Sequence, residues 1–156
     1  MQELCFGYYE SPIGLIEISG TADVIRSVNF VEERRDECFS NSLVDQAVQE
    51  IKEYFNGSRR EFDVPLDLQG TAFQQSVWRQ LLKIPYGNTV SYGDIARAIN
   101  NPQAVRAVGG ANHRNPIAII IPCHRVIGSD GSMTGYGSGI WRKEWLLKHE
   151  GKKLKA

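Results

Sequence analysis

The sequence predicts an α+β chain. Short alternating apolar stretches with turn signals fill its first part, and a 3.6-residue apolar periodicity fills most of the rest. LCFGYY at 4–9 and IGLIEI at 13–18 read as strands joined by a turn at Ser11-Pro12. Residues 24–31, with Ile25, Val28 and Phe30, read as a third strand, and the polar, charged stretch 32–42 as a loop. Leu43, Ala47, Ile51 and Phe55 then recur at helical spacing, with Gly57 as the stop. A short strand is expected at 62–66. Asp67-Leu68-Gln69-Gly70 has no periodicity and marks a boundary, giving domains 1–69 and 70–156.

Beyond the boundary the texture is helical. Thr71 and Gln74 have the capping-box spacing ahead of an apolar stripe, Phe73, Val77 and Leu81. Pro85-Tyr86-Gly87-Asn88 reads as a turn. Ser91 with Asp94 opens another helix, and Asn101 as N-cap with Pro102 at the first position is expected to open the next. A final helix is expected over 139–149, stopping at Gly151.

The chain has 156 residues, 42% hydrophobic and 23% charged, with zero formal net charge. Net charge therefore offers no argument for nucleic acid; local patches must carry one. No apolar run approaches the roughly 20 residues that span a bilayer, and the acidic start MQELCFGYYESP is unlike a secretory leader. Cys5, Cys38 and Cys123 are scattered, with no CxxC and no metal-ligand spacing to His113, His124 or His149. These features point to a cytoplasmic protein without metal or cofactor, and nothing argues for oligomerisation.

Residues 91–114 read as two short helices joined at Asn100-Asn101, the shape of a helix-turn-helix. The second helix carries Gln103, Arg106, Asn112, His113 and Arg114 among small residues, Ala104, Ala107, Gly109, Gly110 and Ala111. Any two short helices share that outline; alternatively, small residues admit a phosphate backbone and Arg106 reaches into a duplex. Each interior Gly costs roughly 1 kcal/mol relative to Ala, so the pair signals either close approach or the helix end.

The apolar run Ile117-Ala118-Ile119-Ile120-Ile121 reads as buried extended backbone from which Cys123 emerges. A lone cysteine is often a small buried hydrophobe. Cys123, however, stands beside His124 and Arg125, and a thiolate is favoured by cations or a histidine. Adjacent side chains usually point apart, so contact between His124 and the thiol is either direct or bridged by a water, and His149 and Glu150 near the end of the last helix add a carboxylate that could orient a histidine. The Gly-rich segment 128–139 is either a solvent loop or a wrap around a planar ligand with Tyr136 as a wall; it has no nucleotide-phosphate fingerprint.

Pro122-Cys123-His124-Arg125-Val126 resembles the active-site motif of the O6-alkylguanine-DNA alkyltransferases, or methylated-DNA–protein-cysteine methyltransferases. The resemblance extends through Phe73-Gln74, Val77-Trp78, Ile84-Pro85-Tyr86-Gly87, Val90-Ser91-Tyr92, the stretch 104–112, Asn115-Pro116, Gly135-Tyr136, the stretch 143–147 and His149-Glu150-Gly151. Ser11-Pro12-Ile13-Gly14 extends it to the first half.

The resemblance implies a ribonuclease H-like N-terminal α/β domain and a helical C-terminal domain with a DNA-binding helix-turn-helix. It implies irreversible, stoichiometric transfer of an alkyl group from O6-alkylguanine, and more weakly O4-alkylthymine, to Cys123. The partner would be double-stranded DNA, entered through the minor groove with the damaged nucleotide flipped out. It further implies that His124 and Glu150 activate the thiol, Asn115 holds the turn and Tyr92 assists guanine protonation. Arg106 would fill the vacated stack, Tyr136 and Ser138 would line the pocket and Val126 would read the base edge. Ala111, Asn112 and Arg114 would contribute to DNA binding.

Some relatives hold a structural zinc with Cys5; Thr21 and Arg26 stand at other positions of that site, so no zinc is expected. Ser138 and Ala118 stand where relatives often have Gly and Pro, which bears on the size of alkyl group accepted. Three other readings fit less well: a non-enzymatic lesion-binding relative, a helix-turn-helix transcription factor and a Cys-His hydrolase. The first typically lacks the cysteine, the second fits the reactive-cysteine motif poorly, and the third lacks oxyanion features.

Overall fold

The computed structural model describes residues 3–151, which form two compact units. The first comprises residues 3–68 together with Pro116–Ile120. Its sheet contains β1 (Cys5–Ser11), β2 (Gly14–Gly20) and β3 (Ile25–Phe30), antiparallel in the order β1-β2-β3. Ser11 pairs with Gly14, so Pro12 and Ile13 form the hairpin tip. Ile18 pairs with Val28, and both are fully buried.

Helix α1 (Ser42–Phe55) is capped by the Asn41 side chain and buries Val44, Ala47, Ile51, Tyr54 and Phe55. A Cβ on Gly7 would stand 2.8 Å from Val48, so this glycine lets α1 approach β1 closely. Glu50 is buried on the same helix and accepts hydrogen bonds from the Asp63 N–H at 2.8 Å and Gln46 at 2.9 Å.

Two expectations change here. The strand expected at 62–66 is reduced to one parallel bridge, Ile25 to Leu66. The run 117–121 is buried throughout but is broken by a turn at Ile119-Ile120. At its start Val28 N–H donates to the Pro116 carbonyl, and Ala118 N–H donates to the Val28 carbonyl. Ile119 then takes φ +72°, and Ile120 N–H donates to the Ala118 carbonyl at 2.8 Å, a tight γ-turn rare for a β-branched residue. Apolarity predicted burial correctly, but it says nothing about where the chain must bend.

The second unit comprises Gln69–Asn115 and residues 121–151. In chain order it contains α2 (Ala72–Leu81), β4 (Val90–Ser91), α3 (Tyr92–Ala98), α4 (Val105–His113), a 3₁₀ turn (Cys123–Arg125), β5 (Val126–Ile127) and α5 (Ile140–His149). Both expected capping boxes form, at Thr71 with Gln74 and at Ser91 with Asp94. The core gathers Val77, Trp78, Leu81, Ile95, Val108, Ala111, Leu146 and Leu147. Trp78 Nε1 donates to the Ala111 carbonyl at 2.9 Å, tying α2 to α4.

Helix α4 starts later than Asn101-Pro102 predicts. Asn100 sits at φ +61°, Ala104 N–H donates to the Asn101 carbonyl, and Ala104 becomes an N-cap without a side-chain bond. Pro102 suits a turn as well as a first helical turn, and here the turn takes it. The Gly109-Gly110 pair lies inside α4 and does not end it. Among the described residues, no helix is long and apolar enough to cross a membrane.

Candidate active site

Cys123 is presented by consecutive turns. Pro122 has φ −81° and ψ 64°, and Cys123 N–H donates to the Ile121 carbonyl at 2.8 Å, an inverse γ-turn that the proline ring favours. The 3₁₀ turn follows, closed by Arg125 N–H to the Pro122 carbonyl, and Val126 leads into β5, which pairs in parallel with β4. The Cys123 carbonyl accepts from Val126 N–H and from Asn112 Nδ2 at 3.3 Å. Asn115 Nδ2 donates to the Ile121 carbonyl at 2.8 Å. The end of α4 and Asn115 just past it therefore hold the backbone on both sides of Cys123.

Cys123 is 5% exposed. Burial pushes its pKa up; against this act a hydrogen bond from the Asn115 side chain, the charge of Lys143, and the N–H groups of Cys123 and His124. These groups are arranged to receive a thiolate.

His124 turns its ring toward a buried carboxylate. His124 Nε2 lies 2.7 Å from Glu150 Oε2. Arg125 donates to Glu150 through Nε at 2.8 Å and Nη2 at 3.0 Å, and through Nη1 to the Ile84 carbonyl at 2.8 Å. Gly87 N–H reaches Glu150 Oε1 at 3.2 Å. Burial alone would push the Glu150 carboxyl up; its bonds to His124 and Arg125 outweigh this and hold it well below the carboxylate range. Burial pushes His124 down, and Glu150 compensates only in part. A neutral imidazole beside an ionised carboxylate carries its proton on Nε2. Nδ1 is left as an acceptor, buried and without a protein hydrogen-bond partner among the described residues.

The segment 128–139 supplies another wall. Tyr136 is 7% exposed, its hydroxyl has no partner among the described residues, and burial together with the Cys123 charge pushes it well above the tyrosine range. The Ser138 carbonyl accepts from Arg142 at 2.8 Å. Tyr92, the first residue of α3, donates its hydroxyl to the Thr134 carbonyl at 3.0 Å, and Lys143 Nζ donates to the same carbonyl at 2.7 Å. Lys143 is fully buried. Sequence reading passed over it because a lysine on a terminal helix normally lies in solvent. The available signal was its place near the N-terminus of α5, where a cation opposes the helix dipole.

Arg106, Ala107, Gly110, His113 and Arg114 form one exposed stripe along α4. Ala111 and Asn112, grouped with them in the sequence reading, lie on the buried face, where Asn112 serves the Cys123 turn. Val126 is likewise fully buried. A Cβ on Gly110 would meet nothing within 4 Å, so the fold itself leaves the stripe open at its middle.

The model of the 6-O-methylguanine DNA methyltransferase DNA-binding domain matches residues 72–152, and that of the same family's ribonuclease-like domain matches residues 4–68. The chain belongs to this methyltransferase family. The methylated-DNA–protein-cysteine methyltransferase of Methanosarcina acetivorans is 49% identical over 152 residues, covering 94% of this chain and 97% of the relative. That of Mycobacterium bovis is 50% identical over 146 residues, covering 90% and 88%. The crystal structure of Mycobacterium tuberculosis O6-methylguanine methyltransferase superposes with TM-score 0.86 at 47% identity, covering 95% of this chain and 93% of that one. A structure of the same organism's OGT in complex with DNA superposes with TM-score 0.85 at 50% identity, covering 93% and 91%. The methyltransferase is thus α+β in class, with a sheet-bearing first part and a helical second part.

Proposed function

We propose that this methyltransferase repairs DNA by moving the alkyl group of O6-alkylguanine, and less efficiently of O4-alkylthymine, onto Cys123. The sulfur attacks the sp³ carbon and forms an S–C bond while the C–O6 bond breaks and its electron pair stays on guanine. The thiol proton passes through a water to His124 Nδ1, and the departing guanine takes up one proton with help from Tyr92. A thioether has no route back to the thiol here, so each molecule acts once.

The observation that carries this reading is the buried His124 ring, with a carboxylate on one nitrogen and an unpartnered acceptor on the other, next to a thiol surrounded by donors. SN2 attack at a saturated carbon needs a soft nucleophile and no oxyanion hole. A base stacked in a duplex is out of reach of a buried thiol, so the nucleotide must be extruded at a cost of a few kcal/mol. The open stripe on α4 is suited to the minor groove, with Arg106 taking the vacated stack and Arg114 meeting the backbone. Tyr136, Ser138 and the backbone of Val126 line the base pocket, Asn115 holds the turn, and Ala111 and Asn112 support DNA binding from behind the stripe. The protein acts as a monomer in the cytoplasm, where a free nucleophilic thiol persists.

Incubation with an oligonucleotide carrying labelled O6-methylguanine tests the reading. Label is expected on Cys123, at no more than one per molecule, and none on Cys123→Ser. Repeated turnover, or label retained by the variant, contradicts it.

A further inference from the structure

We infer that Trp141 is a stacking platform for a nucleobase of the lesion-bearing strand, set at the lip of the base pocket and continuous with the stripe on α4. The inference rests on the reading of that stripe as the DNA-binding face and of Tyr136 and Ser138 as the pocket wall.

Trp141 is the second residue of α5 and is 55% exposed, beside Ile140 at 45%. A single exposed apolar side chain needs no explanation, but this indole is held in place. The Arg142 guanidinium lies over its ring, 4.6 Å from the centre, and donates to the Ser138 carbonyl at 2.8 Å. Gly139, at φ +106°, lets the indole edge rest on its backbone. A Cβ there would stand 3.1 Å from Trp141 Cδ1 and 3.2 Å from Nε1. The ring is thus ordered before anything binds, which removes part of the ordering cost of association.

The lip joins the stripe directly. A Cβ on Gly137 would lie 3.4 Å from the His113 carbonyl oxygen and 3.6 Å from its ring, so the pocket wall runs against the end of α4. Charge along this surface suits a polyanion. The chain has 18 acidic residues, yet none falls in 95–129 or 131–143, the stretches that hold α4, the Cys123 turn, the lip and the start of α5. Asp130 and Glu144 bracket the second stretch, and His113 and Arg114 are exposed at the end of the first helix it meets. An ordered aromatic ring among cations fits nucleic acid, because every base offers a π face. Within a duplex both faces of a base are covered. Extruding one nucleotide takes a stacking neighbour from the next, and the strand that enters the pocket passes its lip.

Binding of a fluorescein-labelled duplex carrying O6-methylguanine tests this. It is measured by anisotropy at several salt concentrations, in Cys123→Ser so that no alkyl transfer intervenes. Trp141→Leu keeps apolar bulk against Gly139 but has no π face. It should bind about tenfold more weakly. The slope of log affinity against log salt should stay unchanged, because stacking releases no counter-ions. Trp141→Phe keeps a π face and should bind within about threefold of its parent. Saturating lesion duplex should quench tryptophan emission in the parent, and most of that quench should be gone in Trp141→Phe. Equal affinity of Trp141→Leu and its parent, or a quench that survives in Trp141→Phe, overturns the inference and leaves alkyl transfer standing. Sedimentation showing a dimer that Trp141→Leu dissolves assigns the indole to a second copy of the chain and also overturns it. Absence of label transfer by the wild type, with Trp141-dependent binding kept, overturns the proposed function and leaves the platform standing.

Discussion

At the scale of single residues, Glu150 matters most to the balance of charge. It lies one residue past α5 and joins His124, both arms of the Arg125 fork and the Gly87 N–H. Replacing it with glutamine keeps the shape and leaves Arg125 buried without its counter-ion. Breaking a buried pair in this way costs roughly 3–5 kcal/mol, or roughly 6–20 °C in melting temperature for a chain of this size. Because the folded carboxyl is held below its ordinary pKa, its stabilisation is fully present above the unfolded value of about 4.3 and is lost as pH falls below it. Thermal melts of wild type and Glu150→Gln should therefore differ by a constant amount from pH 6 to 8 and draw together progressively as pH falls below about 4. A gap that does not narrow at all in acid would mean that packing, not charge, is what Glu150 supplies.

At the scale of elements, what the sequence made legible is what neighbouring residues encode. The capping boxes of α2 and α3 need residues three apart, and both form as read. The Gly57 stop at φ +86° is equally local. The γ-turn at Ile119 was illegible because an apolar run has the same pattern whether straight or bent. The delayed start of α4 was illegible because Asn-Pro suits a turn and a helix alike. Of the site, Cys123, His124 and Glu150 were readable as residue types, whereas the inward face of Asn112 and the burial of Lys143 depend on packing between distant segments.

The glycines of α4 give a test at this scale. Gly110 is exposed, and an added Cβ would touch nothing within 4 Å. Gly110→Leu should therefore stabilise the helix, by about 0.8 kcal/mol on propensity alone, and leave reaction with free O6-benzylguanine unchanged. If the stripe approaches a duplex closely, the same variant should bind duplex DNA at least about tenfold more weakly by fluorescence anisotropy, a loss of about 1.4 kcal/mol. Unchanged DNA affinity would remove α4 from the interface.

At the scale of the whole molecule, the chain passes out of the second unit and back again just before Cys123. Pro116–Ile120 belongs to the first unit, where it extends the sheet beside β3, and Asn115 bonds the Ile121 carbonyl across its two ends. Unfolding the first unit would release Ile117, Ile119 and Ile120, all buried, next to the turn that presents Cys123. Exposing this run costs free energy that the second unit has no means to recover, so the two units should lose structure together. The three tryptophans, Trp78, Trp141 and Trp145, all lie in the second unit and report on it alone. Val28 is fully buried in the first unit, against the bridge to Ile117. Val28→Ala removes methyl groups worth about 2 kcal/mol with the cavity included, a shift of about 1 M urea at a slope of about 2 kcal/mol per M. Tryptophan fluorescence should move by that full amount, in step with far-ultraviolet circular dichroism. A fluorescence midpoint that stays in place while the dichroism splits into two transitions would show that the second unit, and with it the thiol, stands without the first.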